Sequence, residues 1–222
     1  MSRTFCNSTE KIRIIYADQS LIVVNKPHLL LSVPGRGIDK QDCLISRLSN
    51  DYHGILTVHR LDWETSGLTV LALNKEVHRH LSRQFQERRV AKQYTAIIYG
   101  QPKSNRGEIN LPLRCDWENR PLQIVDQQQG KSAQTFWKLL SAEDHIKHYA
   151  HSKRILLMPI TGRSHQLRVH MQAIGHPIIG DPLYAHKKAL SLAPRLLLHA
   201  TFLEFEHPEN NTRIHFSSPP PF

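Results

Sequence analysis

The sequence predicts an α+β fold: a mixed, largely antiparallel central sheet with flanking helices and loops. Three observations carry that prediction. Short β-rich runs are spread along the chain, two of them close enough to form a hairpin. Amphipathic helical segments are few. No regular strand-helix-strand alternation of the kind that builds a wholly parallel sheet is present. At 222 residues the chain is long enough for a buried core. It shows no repeat and no low-complexity linker apart from the short Pro219-Pro220-Pro221 tail. Residues 1–222 therefore read as a single domain.

The elements follow in order. Ile12 to Tyr16 and Leu21 to Asn25 are β-rich runs separated by Asp18-Gln19-Ser20, whose turn composition predicts a hairpin, and Lys26-Pro27 ends the second strand. Leu68 to Leu73 is a further strand. Asn74 then caps a helix in which Val77, Leu81 and Phe85 recur every four residues, with Arg79, Arg83, Arg88 and Arg89 on its polar side. Lys92 to Gly100 alternates as a strand, with Tyr94, Ala96 and Ile98 on one face and Thr95, Ile97 and Tyr99 on the other. Arg154 to Ile160 is again β-like. Gly162 leads into a helix with Leu167, Met171 and Ile174 inward and Gly175 as its stop, before Pro177.

Composition narrows the function. Lys plus Arg number 29 against 19 Asp plus Glu, a formal charge of +10, and 15 histidines add to the basic character. An anionic partner follows, with nucleic acid the first candidate and a merely basic soluble protein the plain alternative. Cys6, Cys43 and Cys115 are isolated and odd in number, which suits a reducing cytoplasm and suggests neither a disulfide framework nor a zinc ribbon. The N-terminus has no apolar signal-like run, and no later run approaches a membrane span. Histidines crowd 145–151 and 165–176, which invites a metal reading. On a helix, however, His165 and His170 would diverge by about 140°, and Arg163 and Arg168 would repel a cation, so no metal is expected. Pro34-Gly35-Arg36-Gly37 lacks the remainder of a nucleotide loop, and no serine sits in a G-x-S-x-G elbow.

What remains is chemistry built on one carboxylate. His59-Arg60-Leu61-Asp62-Trp63-Glu64-Thr65-Ser66-Gly67-Leu68 places an aspartate among guanidinium, hydroxyl and glycine groups just before an apolar strand. A site that must grip an anion and present a reactive carboxylate needs both Arg60 and Asp62. The segment closely resembles the HRLDxxTSGL motif of the RluA family of pseudouridine synthases. Leu21 to Pro27 resembles that family's first motif, Lys92-Gln93-Tyr94 its tyrosine segment, Ile160 to His170 with Gly175 to Asp181 its third motif, and Leu197-Leu198-His199-Ala200 its last. His28-Leu29 departs from the pattern, since many members carry a small residue and a glycine there.

The resemblance implies an RNA-modifying isomerase that breaks the C1′–N1 bond of uridine, turns the base and rejoins it through C5. No cofactor is needed. Asp62 takes the role of nucleophile or base, Arg163 supplies its ion-pair partner, and Tyr94 stacks on the base. Arg60 matches the wedge inserted where the base leaves the stack, with phosphate contact as the alternative. His59, Thr65 and Arg168 are expected to serve the substrate, and Leu197 is either a pocket wall or a core leucine. An S4-like domain ahead of the catalytic domain is not expected, so one catalytic domain must recognise the RNA. Cys115 to Pro121, with Trp117 and Arg120, resembles a segment of short family members that act on both an rRNA hairpin and the tRNA anticodon loop. The expected partners are rRNA and tRNA stem-loops, and the expected state is a monomer. The competing function is a catalytically silent RNA-binding or ribosome-assembly factor on the same scaffold.

Overall fold

The computed structural model describes residues 7–140, 149 and 151–222. In chain order its elements begin with β1 (Arg13–Ala17), β2 (Leu21–Lys26), α1 (Leu44–Leu48), β3 (Leu56–Thr57), β4 (Ser66–Ala72) and α2 (Lys75–Gln86). They continue with β5 (Ala91–Tyr99), β6 (Arg106–Asn110), β7 (Leu113–Cys115), β8 (Gln123–Val125), β9 (Gln134–Leu139) and β10 (Ser152–Pro159). Last come α3 (Gln166–Ala173), α4 (Lys187–Ser191), β11 (Leu198–Glu206) and β12 (Arg213–Ser217). Strands dominate and helices are few, the α+β class that the pattern predicts. The chain divides into two compact units, Met1–Ala91 with Ala200–Pro219, and Lys92–His199 with Pro220–Phe222. Among the described residues no helix is long and apolar enough to cross a membrane.

In the first unit the predicted hairpin forms, with β1 antiparallel to β2. Its turn is fixed by Asp18, whose Oδ1 accepts from the Ser20 and Leu21 amides at 2.7 and 2.8 Å. The other oxygen accepts from the Tyr16 hydroxyl and from His207 Nε2, each at 2.7 Å, and so ties the hairpin to the turn between β11 and β12. β4 pairs antiparallel with both β2 and β3, and every residue of it is buried. Burial on both faces demands two covers, and alternation supplies them. Leu21, Val23, Leu68 and Val70 meet Val77 and Leu81 of α2, whereas Ile22, Val24 and Leu71 meet Leu44 and Leu48 of α1.

Asn74 caps α2 as expected, its Oδ1 accepting from the Val77 amide at 2.9 Å. The third fully buried position on this helix is Gln84 rather than Phe85. Its carboxamide mimics a strand neighbour: Nε2 donates to the Glu206 carbonyl and Oε1 accepts from the Glu206 amide, both at 2.8 Å. Burying an amide is tolerable only because both ends are satisfied.

In the second unit β10 lies antiparallel between β5 and β9, and β6 pairs with β9. Ala96 and Ile98 of β5 join Trp137, Ile155 and Leu157 against Leu167 and Met171 of α3. Ile97, on the other face, packs with Ile179, Ala193 and Leu197. The two apolar faces predicted for this strand are thus both used. Helix α3 begins at Gln166, later than Gly162 suggests, because His165 takes a left-handed conformation (φ 53) and breaks the helical run before it. It stops before Gly175, at φ 83, as expected. His165 and His170 both find protein partners: Nδ1 of His165 meets the Tyr184 hydroxyl at 2.7 Å, and His170 bonds Thr135 and Leu111. His145 and His148 lie outside the described residues.

The Asp18 turn gives a test. Burial alone would push its carboxyl up, but bonds from Tyr16, His207 and the two backbone amides outweigh it and hold the group at about 2, below the ordinary 3.8. A carboxylate depressed in the fold stabilises above its unfolded value and loses that stabilisation as pH falls through the folded one. Asp18→Asn should therefore melt below the parent at pH 7, with the gap closing between about pH 5 and pH 2. Thermal melts across that range read it, and a gap independent of pH would count against the turn's role.

Candidate active site

The loop between β3 and β4 carries His59, Arg60, Asp62 and Thr65, and several bonds anchor its main chain. Ahead of Asp62, the Ser32 hydroxyl accepts from the Leu61 amide at 3.1 Å and donates to the Leu61 carbonyl at 2.8 Å. Behind it, Lys26 Nζ donates to the carbonyls of Pro27 and Leu30 at 2.8 Å each, and more weakly to that of Trp63 at 3.5 Å. This lysine is 0% exposed, a placement an ammonium tolerates only with such acceptors around it. His28 Nδ1 donates to the Glu64 carbonyl at 2.6 Å. The Thr65 amide donates to the Asp62 carbonyl at 3.1 Å and closes a turn around the aspartate. Asp62 is half-buried and Arg60 is exposed.

The two other residues of this loop expected to serve the substrate, His59 and Thr65, make contacts within the unit. His59 stacks on Phe85 with ring centres 4.5 Å apart. Its Nε2 accepts from the Val70 amide at 3.2 Å and lies 3.1 Å from the Thr69 hydroxyl, so the ring is pinned to β4. Thr65 is buried. Gly67 has φ 117, and a Cβ on it would stand 2.4 Å from backbone atoms of Ala200, so only glycine fits. Leu29 takes φ 60. The left-handed backbone there is one that a glycine would favour, in keeping with the glycine that many family members carry at this point.

In the second unit Tyr94 sits on β5 opposite Leu157 of β10, half-buried against the apolar cluster there. β10 runs on into the turn that bears Arg163. That residue is exposed, and its Nε donates to the Ser132 carbonyl at 3.0 Å. Its amide donates to Gln166 Oε1 at 3.0 Å. The same oxygen accepts from the Thr161 hydroxyl at 2.8 Å, while Nε2 donates to the Gln134 carbonyl and to Thr135 Oγ1, each at 3.0 Å. Thr135 in turn can donate to His170 Nδ1 at 3.0 Å, and Nε2 of that ring donates to the Leu111 carbonyl at 3.0 Å. Burial pulls the His170 imidazole below its usual range, consistent with a neutral ring. The Arg163 turn thus rests on a buried polar chain whose amide is satisfied at both ends.

Arg168 is placed differently from expectation. Its guanidinium, 2% exposed, grips the fully buried Asp181 through Nε at 2.8 Å and Nη2 at 2.7 Å. Asp181 Oδ1 also accepts from the Leu183 and Tyr184 amides, and the Tyr184 ring lies 5.2 Å from the guanidinium. As placed, Arg168 holds the Asp181 turn instead of facing solvent. Leu197 is 1% exposed, with its amide bonded to Ile179 and its carbonyl to Ile97, so it is a core leucine. Lys26, Ser32 and Gln166 are the positioning groups that motif reading did not single out. Lys26 carried one signal, a lysine closing an apolar strand, and it reads equally as a strand end.

The RNA pseudouridylate synthase model matches residues 20–173, and the chain belongs to that family of enzymes, which isomerise uridine in RNA to pseudouridine. The solved human RNA pseudouridylate synthase domain containing 1 is 32% identical, with a TM-score of 0.79 over 98% of this chain and 86% of that one. Among curated relatives, the dual-specificity RNA pseudouridine synthase RluA of Yersinia pestis is 50% identical over 91% of this chain and 96% of its own length. The protein of the same name from Escherichia coli K12 is 49% identical over 94% and 93%.

Lys26→Met keeps the stem but leaves buried carbonyls without a donor, at a cost of about 3 kcal/mol or more. The variant should unfold at clearly lower denaturant and lose turnover. A parent-like midpoint in urea would show that the ammonium is not what holds the loop.

Proposed function

We propose that this chain isomerises uridine in short RNA stem-loops, accepting both an rRNA hairpin and the tRNA anticodon loop, with Asp62 as the reacting carboxylate. The observation that carries the reading is the loop itself: backbone groups on both sides of Asp62 are tied to Ser32, Lys26 and His28, and the half-buried aspartate is held between them. Rigid main chain around one reactive group is what a positioned nucleophile or base requires. The names and near-half identity of the RluA relatives support the choice of both RNA classes.

In this reading the C1′–N1 bond breaks, the uracil turns, C5 bonds to C1′, the C5 proton is lost to solvent, and N1 takes up a proton in its place. Electrons balance without an oxidant, so no cofactor enters. Asp62 acts as nucleophile on the sugar or as base, Arg163 supplies the counter-charge, and the Tyr94 ring stacks on the base, the roles that the family resemblance gives them. Arg60, exposed beside Asp62, serves as the wedge for the everted nucleotide. Lys26, Ser32, Gln166 and Arg168 act by positioning. Trp117 is 66% exposed with the Arg120 guanidinium 3.9 Å from its ring centre, a platform suited to an unstacked base of a loop. The enzyme works as a monomer in the cytoplasm, in keeping with the free Cys43 and Cys115.

The deciding assay is tritium release from RNA labelled at uracil C5. Asp62→Asn should reduce it by ~10 000-fold with RNA affinity retained, since an amide keeps the shape but neither attacks nor accepts a proton. Parent-like release from that variant would falsify the mechanism, and no release from the parent protein would favour the silent RNA-binding factor. Trp117→Ala should weaken stem-loop binding by about 1–3 kcal/mol. Isolated rRNA and anticodon hairpins should both be modified, as mapped by chemical labelling and primer extension. Modification of an intact ribosomal particle but of neither hairpin would overturn the dual specificity.

A further inference from the structure

We propose that the outward face of α2 is a phosphate track, along which the RNA backbone flanking the target runs away from the Asp62 loop. The inference rests on RNA being the substrate but adds a binding surface outside the catalytic motifs. Three observations carry it. First, the C-terminal end of α2 stands at the catalytic loop, because Phe85 of its last turn stacks on His59, next to the exposed Arg60. Secondly, Arg79 and Arg83 point away from the inward Val77, Leu81 and Gln84, and with Arg88 they are exposed. Four other surface arginines are closed off by carboxylates, Arg47 by Asp42, Arg89 by Glu87 and Glu206, Arg114 by Asp126, and Arg213 by Glu204, whereas Arg13, Arg36 and Arg106 are exposed without one among the described residues; what sets α2 apart is that three such arginines share one helix region. Arg79, Arg83 and Arg88 have no ion pair among the described residues.

Thirdly, Arg88 has φ 60, just past the helix end, where glycine is the ordinary choice. A large cation held there at a conformational cost extends the row toward the loop. Arg79 and Arg83 are one turn apart, a rise of ~6 Å, comparable with the step between neighbouring phosphates on one strand. The competing account is a solvated helix face, with cations favoured near the C-terminus by the helix dipole. That accounts for Arg83 and Arg88 but not for Arg79 in the second turn. Two carboxylates share the helix region: Glu87 is bonded to Arg89, and Glu76 lies in the first turn, where the dipole suits it.

The test is the triple variant Arg79→Gln, Arg83→Gln, Arg88→Gln, titrated with a stem-loop RNA across salt concentrations. A matched triple, Arg13→Gln, Lys103→Gln, Arg106→Gln, removes the same charge from exposed positions elsewhere. The α2 variant should bind at least about tenfold more weakly at moderate salt, and the slope of log K against log salt should become shallower by about two. Its turnover at saturating RNA and its melting temperature should match the parent, and the matched triple should lose far less affinity. Equal losses in the two triples, or an unchanged salt slope in the α2 variant, would overturn the track. Parent protein that binds stem-loops but releases no tritium would instead refute the catalytic reading and leave the track to be judged by the titrations.

Discussion

A single buried ammonium group organises the unit that carries Asp62. Lys26 closes β2, turns its side chain inward, and gathers carbonyls from the loop that follows β2 and from the loop that carries Asp62. An ammonium at 0% exposure is unfavourable unless its donors are used, so the two loops must converge on it or the fold is penalised. Ser32 and His28 repeat the arrangement with a hydroxyl and an imidazole. The first family motif and the aspartate motif are therefore one structural unit, separated in sequence but joined by bonds to main chain.

The second unit solves a similar problem with a carboxamide and an ion pair. Gln166 is buried with donors and acceptors all engaged, and it fixes the turn that bears Arg163. Arg168 and Asp181 form a buried, two-bonded pair that fixes the next turn. Gly180, just before Asp181, has φ 73, and a Cβ there would stand 1.9 Å from the Arg195 carbonyl oxygen, so the polypeptide is packed against itself at that point. In each unit one group that resembles a catalytic one, Asp62 or Arg163, sits on a turn, and the main groups that hold those turns, Lys26 and Gln166, are polar, buried and hydrogen-bonded.

Much of this was legible in the residues. Asp18 predicted the first turn, Asn74 the cap of α2, and the alternation of 92–100 a strand apolar on both faces, because each depends on chemistry local in sequence. The family followed from motif strings spread along the chain. Other elements were not legible. β9 exposes Phe136 while burying Thr135, which blurs its period, and β6 has one buried apolar residue, Ile109. Gln84 reads as a polar helix surface, yet it is buried because its amide substitutes for a strand neighbour across 122 positions. Arg168 and Leu197 lay inside recognised motifs, and motif membership alone does not distinguish a residue that touches substrate from one that supports the fold.

The bonds that reach the loop from Ser32, Lys26 and His28 end on the main chain of 61, 63 and 64, so those bonds do not themselves use the side chains there. A substitution at the half-buried Trp63 leaves the bond to its carbonyl available, so the surroundings of the aspartate can be altered with that bond kept. The surroundings of the aspartate and its placement are thereby separable under selection: a lineage can vary the surface beside it by drifting at this flank while the carboxylate stays where it is.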